Sequence, residues 1–117
     1  VSGAAGFACT PEPPYYAVIF TSHLSVNDGG YAAMGEVMFD LALSQSGCLG
    51  VETARGGDRL GITVSYWADE ASILAWKAEA QHLAAQRYCI SRWYDHYELR
   101  IARVERAYSG PEGRSLD

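Results

Sequence analysis

The chain has 117 residues, 49% hydrophobic and 20% charged, with a net charge of −5. One domain of this size buries roughly two-thirds of the surface its unfolded chain would expose. No apolar run is long enough to span a bilayer, and the acidic balance disfavours nucleic acid and anionic membranes as partners.

Residues 1–14 are small, polar and proline-bearing (Thr10-Pro11-Glu12-Pro13-Pro14), without periodicity. They read as a flexible tail outside the core, and no signal peptide is expected, because no charged start leads into a long apolar run. Tyr15 to His23 is aromatic and β-branched, a first strand apolar on both faces. Asn27-Asp28-Gly29-Gly30 breaks the chain and offers Asp28 as an N-cap. Tyr31, Met34, Val37, Met38 and Leu41 then recur at helical spacing until Ser46-Gly47. Cys48 to Ala54 reads as a second strand, Arg55 to Asp58 as a turn, and Leu60 to Trp67 as a third strand. Asp69 caps the next helix, whose apolar stripe is Ile73, Trp76, Ala80 and Leu83. The pattern loosens between Tyr88 and Arg92. A long final strand runs from Tyr94 to Tyr108, and 110–117 reads as a C-terminal tail.

The expected domain, residues 15–109, has the order strand, helix, strand, strand, helix, strand. That is a ferredoxin-like βαββαβ arrangement of the α+β class, with a four-stranded antiparallel sheet and both helices on one face. Phe20, Val51, Val64, Leu99 and Ile101 cannot all face the helices. The bare face therefore predicts a homodimer, two sheets closing a barrel.

The chemistry-bearing residues are few. Cys9, Cys48 and Cys89 are odd in number and lie outside any Cys-x-x-Cys spacing, which fits buried or incidental thiols in a reducing cytoplasm. His23, His82 and His96 are scattered, with no carboxylate at ligand spacing, so no metal is expected. His96 and Glu98 alternate onto one face of the last strand. Arg100, Arg103 and Arg106 with Glu98 and Glu105 read as a paired network at the subunit contact. No phosphate-loop pattern appears.

Several phrases taken together carry a resemblance: Tyr16-Ala17-Val18-Ile19-Phe20-Thr21-Ser22, Gly47-Cys48-Leu49-Gly50-Val51-Glu52, Gly61-Ile62-Thr63-Val64-Ser65-Tyr66-Trp67, Ala75-Trp76-Lys77, His82-Leu83-Ala84-Ala85-Gln86, Trp93-Tyr94 and the segment from Arg100 to Arg106. Over about Tyr16 to Tyr108 the chain resembles the antibiotic biosynthesis monooxygenase family. The resemblance implies a dimeric α+β barrel with a pocket between helices and sheet in each subunit. Better-known members oxygenate electron-rich aromatic compounds without metal or flavin, the substrate anion itself reducing dioxygen. Others degrade haem, using an asparagine near the end of the first strand, a tryptophan on the second helix and a histidine about three turns on. Trp76 matches the tryptophan. Gln86 stands where the histidine would be, and Thr21 and Ser22 stand at the asparagine, so haem is not expected and no cofactor is predicted.

The resemblance thus implies a cofactor-independent monooxygenase for a small aromatic or quinol-like compound. His82 would be its base, and Trp76, Trp67, Tyr66, Gln86 and Phe20 would contact the substrate. Bland readings stand beside these: a tryptophan facing a sheet is core, and a histidine flanking an apolar stripe is solvated. At the level of the whole protein, the alternative is a non-catalytic dimeric module that binds an aromatic or haem-like ligand.

Overall fold

The computed structural model describes residues 6–26, 31–87 and 94–111, with backbone alone for 31–34 and 82–87. The elements are β1 (Tyr15–Leu24), α1 (Tyr31–Ser44), β2 (Cys48–Arg55), β3 (Leu60–Trp67), α2 (Glu70–Arg87) and β4 (Tyr94–Val104). The four strands form one antiparallel sheet in the order β2-β3-β1-β4. This is the expected ferredoxin-like α+β fold. Asp28, Cys89 and Trp93, with the loosened segment around them, lie outside the described residues.

Antiparallel partners directly opposite each other share a face, so the register sorts the sheet into rungs. Toward the helices the first rung is Cys48, Trp67, Tyr16 and Arg103, and the second is Val51, Ser65, Val18 and Ile101. The third is Thr53, Thr63, Phe20 and Leu99, and the fourth is Arg55, Gly61, Ser22 and Tyr97. The helices rest on β2 and β3. Ala42 of α1 and Ile73 of α2 close over Val18 and Trp67, with Tyr16, Cys48, Val51 and Trp76 packed around them. The core therefore occupies the first two rungs and stops there.

Local chemistry places the helices. Asp69 Oδ1 accepts the Ser72 amide at 2.8 Å, capping α2 at its third residue as the sequence predicts. This bond to the charged form holds the Asp69 carboxyl below the usual range. Ser44 Oγ donates to the Leu41 carbonyl at the end of α1, and Gln45 N bonds the Ala42 carbonyl. The β2–β3 turn runs through Gly56 to Arg59, where Arg59 takes a φ of 73°. Asp58 Oδ1 fixes that turn by accepting the Leu60 amide.

Two expectations need correction. The final strand ends at Val104, not Tyr108. Val104 pairs with Tyr15, the first residue of β1, and the Pro13-Pro14 pair before it has no N–H with which to extend the ladder. Second, the β4 arginines do not share one face, as a single network at a subunit contact would require. Arg103 stands beside Tyr16 toward the helices and Arg100 beside Ile19 on the other face, because neighbouring odd and even positions alternate. As expected, the five apolar strand residues do not all face the helices: Phe20, Val51, Leu99 and Ile101 share the helix side and Val64 lies opposite.

The opposite face still carries apolar surface, with Ile62 47% and Leu60 46% exposed beside partly buried Ile19 and Val64. Residues before β1 lie against this opposite face, beside Glu52 and Tyr15. The Ala8 amide donates to Glu52 Oε2 at 2.9 Å, and the Tyr15 hydroxyl reaches Thr10 Oγ1 at 3.1 Å. Gly50, at φ 155°, makes room for this segment: a Cβ there would fall 2.6 Å from that of Ala8.

The packing yields a stability prediction. Trp67→Ala is expected to lower unfolding free energy by about 3–5 kcal/mol in urea titration. Leu43→Ala, at an exposed α1 position, is expected to change it by less than about 0.5 kcal/mol.

Candidate functional site

The helix side of the sheet has a closed end and an open end. At the closed end the Trp67 ring is fully buried, its indole N–H donating to Ser65 Oγ at 2.8 Å. Trp76, one turn into the Ile73 stripe of α2, lies 5.3 Å from it centroid to centroid, tilted by 37°. The Trp76 indole nitrogen is buried and has no acceptor among the described residues. A buried donor left unmade costs about 1–3 kcal/mol, so an acceptor oxygen arriving there would be favoured.

At the open end the floor is rungs three and four. Phe20 is ringed by Tyr94 at 5.3 Å and Tyr97 at 5.4 Å, and Leu99 and Tyr97 are 42% and 50% exposed. The Thr53 and Thr63 hydroxyls bond each other at 2.7 Å on the same floor. Arg55 closes the far side, donating to the Ser22 carbonyl and to Ser22 Oγ. The arrangement is an aromatic-walled, hydroxyl-floored trough with a cation at one end. Such a surface suits a flat, polar-edged ring.

Of the residues singled out in the sequence, Trp67, Trp76 and Phe20 come to this side of the sheet. Tyr66 does not. Consecutive strand residues face opposite ways, so Tyr66 and Trp67 cannot line one cavity. Tyr66 donates instead to Glu52 Oε1 at 2.6 Å and meets the Tyr15 ring edge-on at 5.9 Å, on the far face. Burial, that hydrogen bond, the Glu52 charge and Tyr15 together push its phenol well above the ordinary range. The backbone of α2 carries His82 and Gln86, whose side chains lie outside the described residues. His23 bonds Asp95 and the Asp58 carbonyl, and His96 bonds Glu98 at 2.6 Å, both on the far face. Cys48 is half-buried at the core edge, where burial raises its thiol. No group of His, Cys, Asp or Glu able to hold a metal occurs among the described residues. No helix among them is long and apolar enough to cross a membrane.

Two parts of the trough escaped sequence reasoning, the Thr53–Thr63 pair and Arg55, whereas Tyr97 reads in sequence as a tyrosine able to orient an aromatic ligand, on one strand face with Leu99. Arg55 reads in sequence as a turn residue. Only the register sets it level with Gly61, Ser22 and Tyr97. Alternation from Trp67 leads along β3 to Thr63 and Gly61, and the β2–β3 pairing then sets Thr53 and Arg55 across from them.

A model of the antibiotic biosynthesis monooxygenase family matches residues 24–88, which run from the end of β1 through α2. The chain belongs to that family. It is 50% identical over 97 residues to the uncharacterized protein YqjZ of Bacillus subtilis (strain 168), covering 83% of this chain and 85% of YqjZ. Two solved structures share the fold at low identity. Protein SO0527 from Shewanella oneidensis has a TM-score of 0.67 at 10% identity, over 80% of this chain and 94% of its own. SnoaB, a cofactor-independent oxygenase from Streptomyces nogalater crystallised as a mutant, also scores 0.67, at 9% identity, over 80% and 95%. The family assignment rests on the sequence matches, while the structural likenesses speak for the fold alone.

The Tyr66–Glu52 bond gives a pH prediction. The folded phenol ionises above the unfolded value of about 10, so its stabilisation is complete below that pH and is lost as pH climbs toward the folded value. Thermal midpoints of wild type should fall above about pH 10 more steeply than those of Tyr66→Phe.

Proposed function

We propose that the protein oxygenates a small electron-rich aromatic or quinol-like compound with dioxygen, drawing the electrons from the substrate itself. The observation that carries the reading is the buried Trp76 indole N–H, held against Trp67 and lacking an acceptor among the described residues. A phenolic or carbonyl oxygen of a ring that reaches under α2 from the open end would supply that acceptor. Family membership supports the reaction type, and SnoaB, of the same fold, is a cofactor-independent oxygenase.

In this reading His82, on the last turns of α2, is the base. It takes a proton from the substrate carbon next to the conjugated ring. The resulting anion passes an electron to dioxygen, the two radicals join as a peroxide at that carbon, and loss of water leaves a carbonyl. Overall a CH2 and O2 become C=O and H2O, so no outside reductant enters. A near-neutral base suits the first step, and a water-poor seat protects the anion. Gln86 and Phe20 contact the substrate, and Tyr66 is left out because its strand turns it away. The protein works as a homodimer, joined through the far face, where Ile62 and Leu60 are half exposed.

Two measurements check these statements. With 1-naphthol, whose keto tautomer supplies such a CH2, oxygen uptake should match 1,4-naphthoquinone formed one for one. His82→Ala should lower the rate roughly a hundred-fold or more. Background uptake in both proteins, with the naphthol nonetheless bound, would instead establish a binding module. For assembly, sedimentation equilibrium at micromolar concentration should give twice the chain mass, falling to one chain in Ile62→Glu; a wild-type monomer would sink the dimer.

A further inference from the structure

The third rung of the sheet is divided between two chemistries. Thr53 and Thr63 carry it on β2 and β3, Phe20 and Leu99 on β1 and β4. Directly opposed residues have Cβ atoms about 5 Å apart, so the hydroxyl-bearing half begins one side chain away from Phe20. Thr53 is exposed and Thr63 half-buried, and the aromatic half is walled by Tyr94 and Tyr97.

The two hydroxyls bond each other at 2.7 Å, and either can be the donor. Neither bonds any other group among the described residues. A hydroxyl has one proton to give and two lone pairs with which to receive. The mutual bond spends one proton and one lone pair, leaving a proton and further lone pairs for an incoming group. A hydroxyl that accepts one bond while donating another is polarised, which strengthens the second bond. Both side chains are β-branched and tied to each other, so little rotamer freedom is lost on binding. The indole N–H of Trp76 can only donate, so it cannot tell a free hydroxyl from an ether. The threonine pair can.

We propose that the Thr53–Thr63 pair is the specificity element of the site and selects aromatic rings that carry a free hydroxyl. The ring lies on Phe20 and Leu99, and its hydroxyl donates to a threonine Oγ. An oxygen without a proton, in the keto tautomer or the anion, is met by the pair's own spare proton instead, because either threonine can donate. Two side chains thus hold the same oxygen in each of its forms. This deepens the oxygenase reading and rests on it for the trough's use, but the two can fail separately.

The test is equilibrium dialysis under nitrogen, where binding proceeds without turnover. The probes are 1-naphthol and 1-methoxynaphthalene, an ether of the same ring with no proton to donate. The ratio of their affinities, naphthol over ether, should be about 10-fold higher in wild type than in Thr53→Val/Thr63→Val. Valine keeps the side-chain shape and suits a strand. Thr53→Ser/Thr63→Ser, which restores the hydroxyls, should recover the ratio. His82→Ala should keep it, since that base takes its proton from carbon. A ratio unmoved by the valines, or one that falls instead in His82→Ala, would overturn the proposal and leave the pair as a cross-strand tie between β2 and β3. So would a wild type that binds neither ring. Should the double variant fail to fold, Thr53→Val alone, at the exposed position, decides: it should lower the ratio about 3-fold, and no change would overturn the proposal. A ratio shift without oxygen uptake in air rejects the oxygenase reading alone; uptake without a ratio shift rejects the selectivity alone.

Discussion

Everything on the helix side of the sheet depends on Trp67 being covered. Its ring has no exposure, its N–H is satisfied by Ser65, and Ile73 and Trp76 lie over it. A one-residue slip of β3 would exchange Trp67 for Tyr66, putting a phenol bound to Glu52 under the helices and an indole in water. The register is thus held by the largest residue in the core. That same register sends Thr63 and Gly61 to the trough floor. Packing at one end fixes the chemistry at the other.

The sheet is covered along only part of its length. Core contacts from the helices end with Val18 and Val51, and beyond them the side chains change from greasy and closely packed to hydroxylated, aromatic and charged. Phe20 marks the border, packed on one side by Tyr94 and Tyr97 and level with the Thr53–Thr63 pair. A fold that spends its apolar burial on half a surface leaves the other half for a ligand. The unmet donor of Trp76 sits on the covered side of that border.

The order of elements, the Asp69 cap, the β2–β3 hairpin and the Ile73–Trp76 stripe were all legible in the sequence, because each is a local pattern written in neighbouring residues. So was the family, through phrases spread along the chain. What was not legible depends on which residues stand side by side across strands. Arg55 passes for a turn residue until β1 is seen to run beside β3. The pairing of Tyr66 with Trp67 in one cavity ignored strand alternation, and the distribution of the five apolar strand residues needed the pairing partners as well. The end of β4 at Val104 is set by the prolines before its partner β1, Pro13 and Pro14, far from any signal in β4 itself.

The register of β1 against β4 shifts between His23 and Leu24, where Leu24 pairs with Tyr94 although His23 pairs with His96. One residue of β4, Asp95, is thereby passed over, and its carboxylate bonds the His23 ring. Strict alternation would have put Tyr94 beside His96; the extra residue rotates it toward Phe20 and Tyr97 instead. Such a skip isolates whatever precedes it from the ladder that follows. Relatives can therefore lengthen or shorten the connection leading into β4 by a residue and still deliver the same ladder downstream, which frees that connection to diverge among proteins whose sheets remain superimposable.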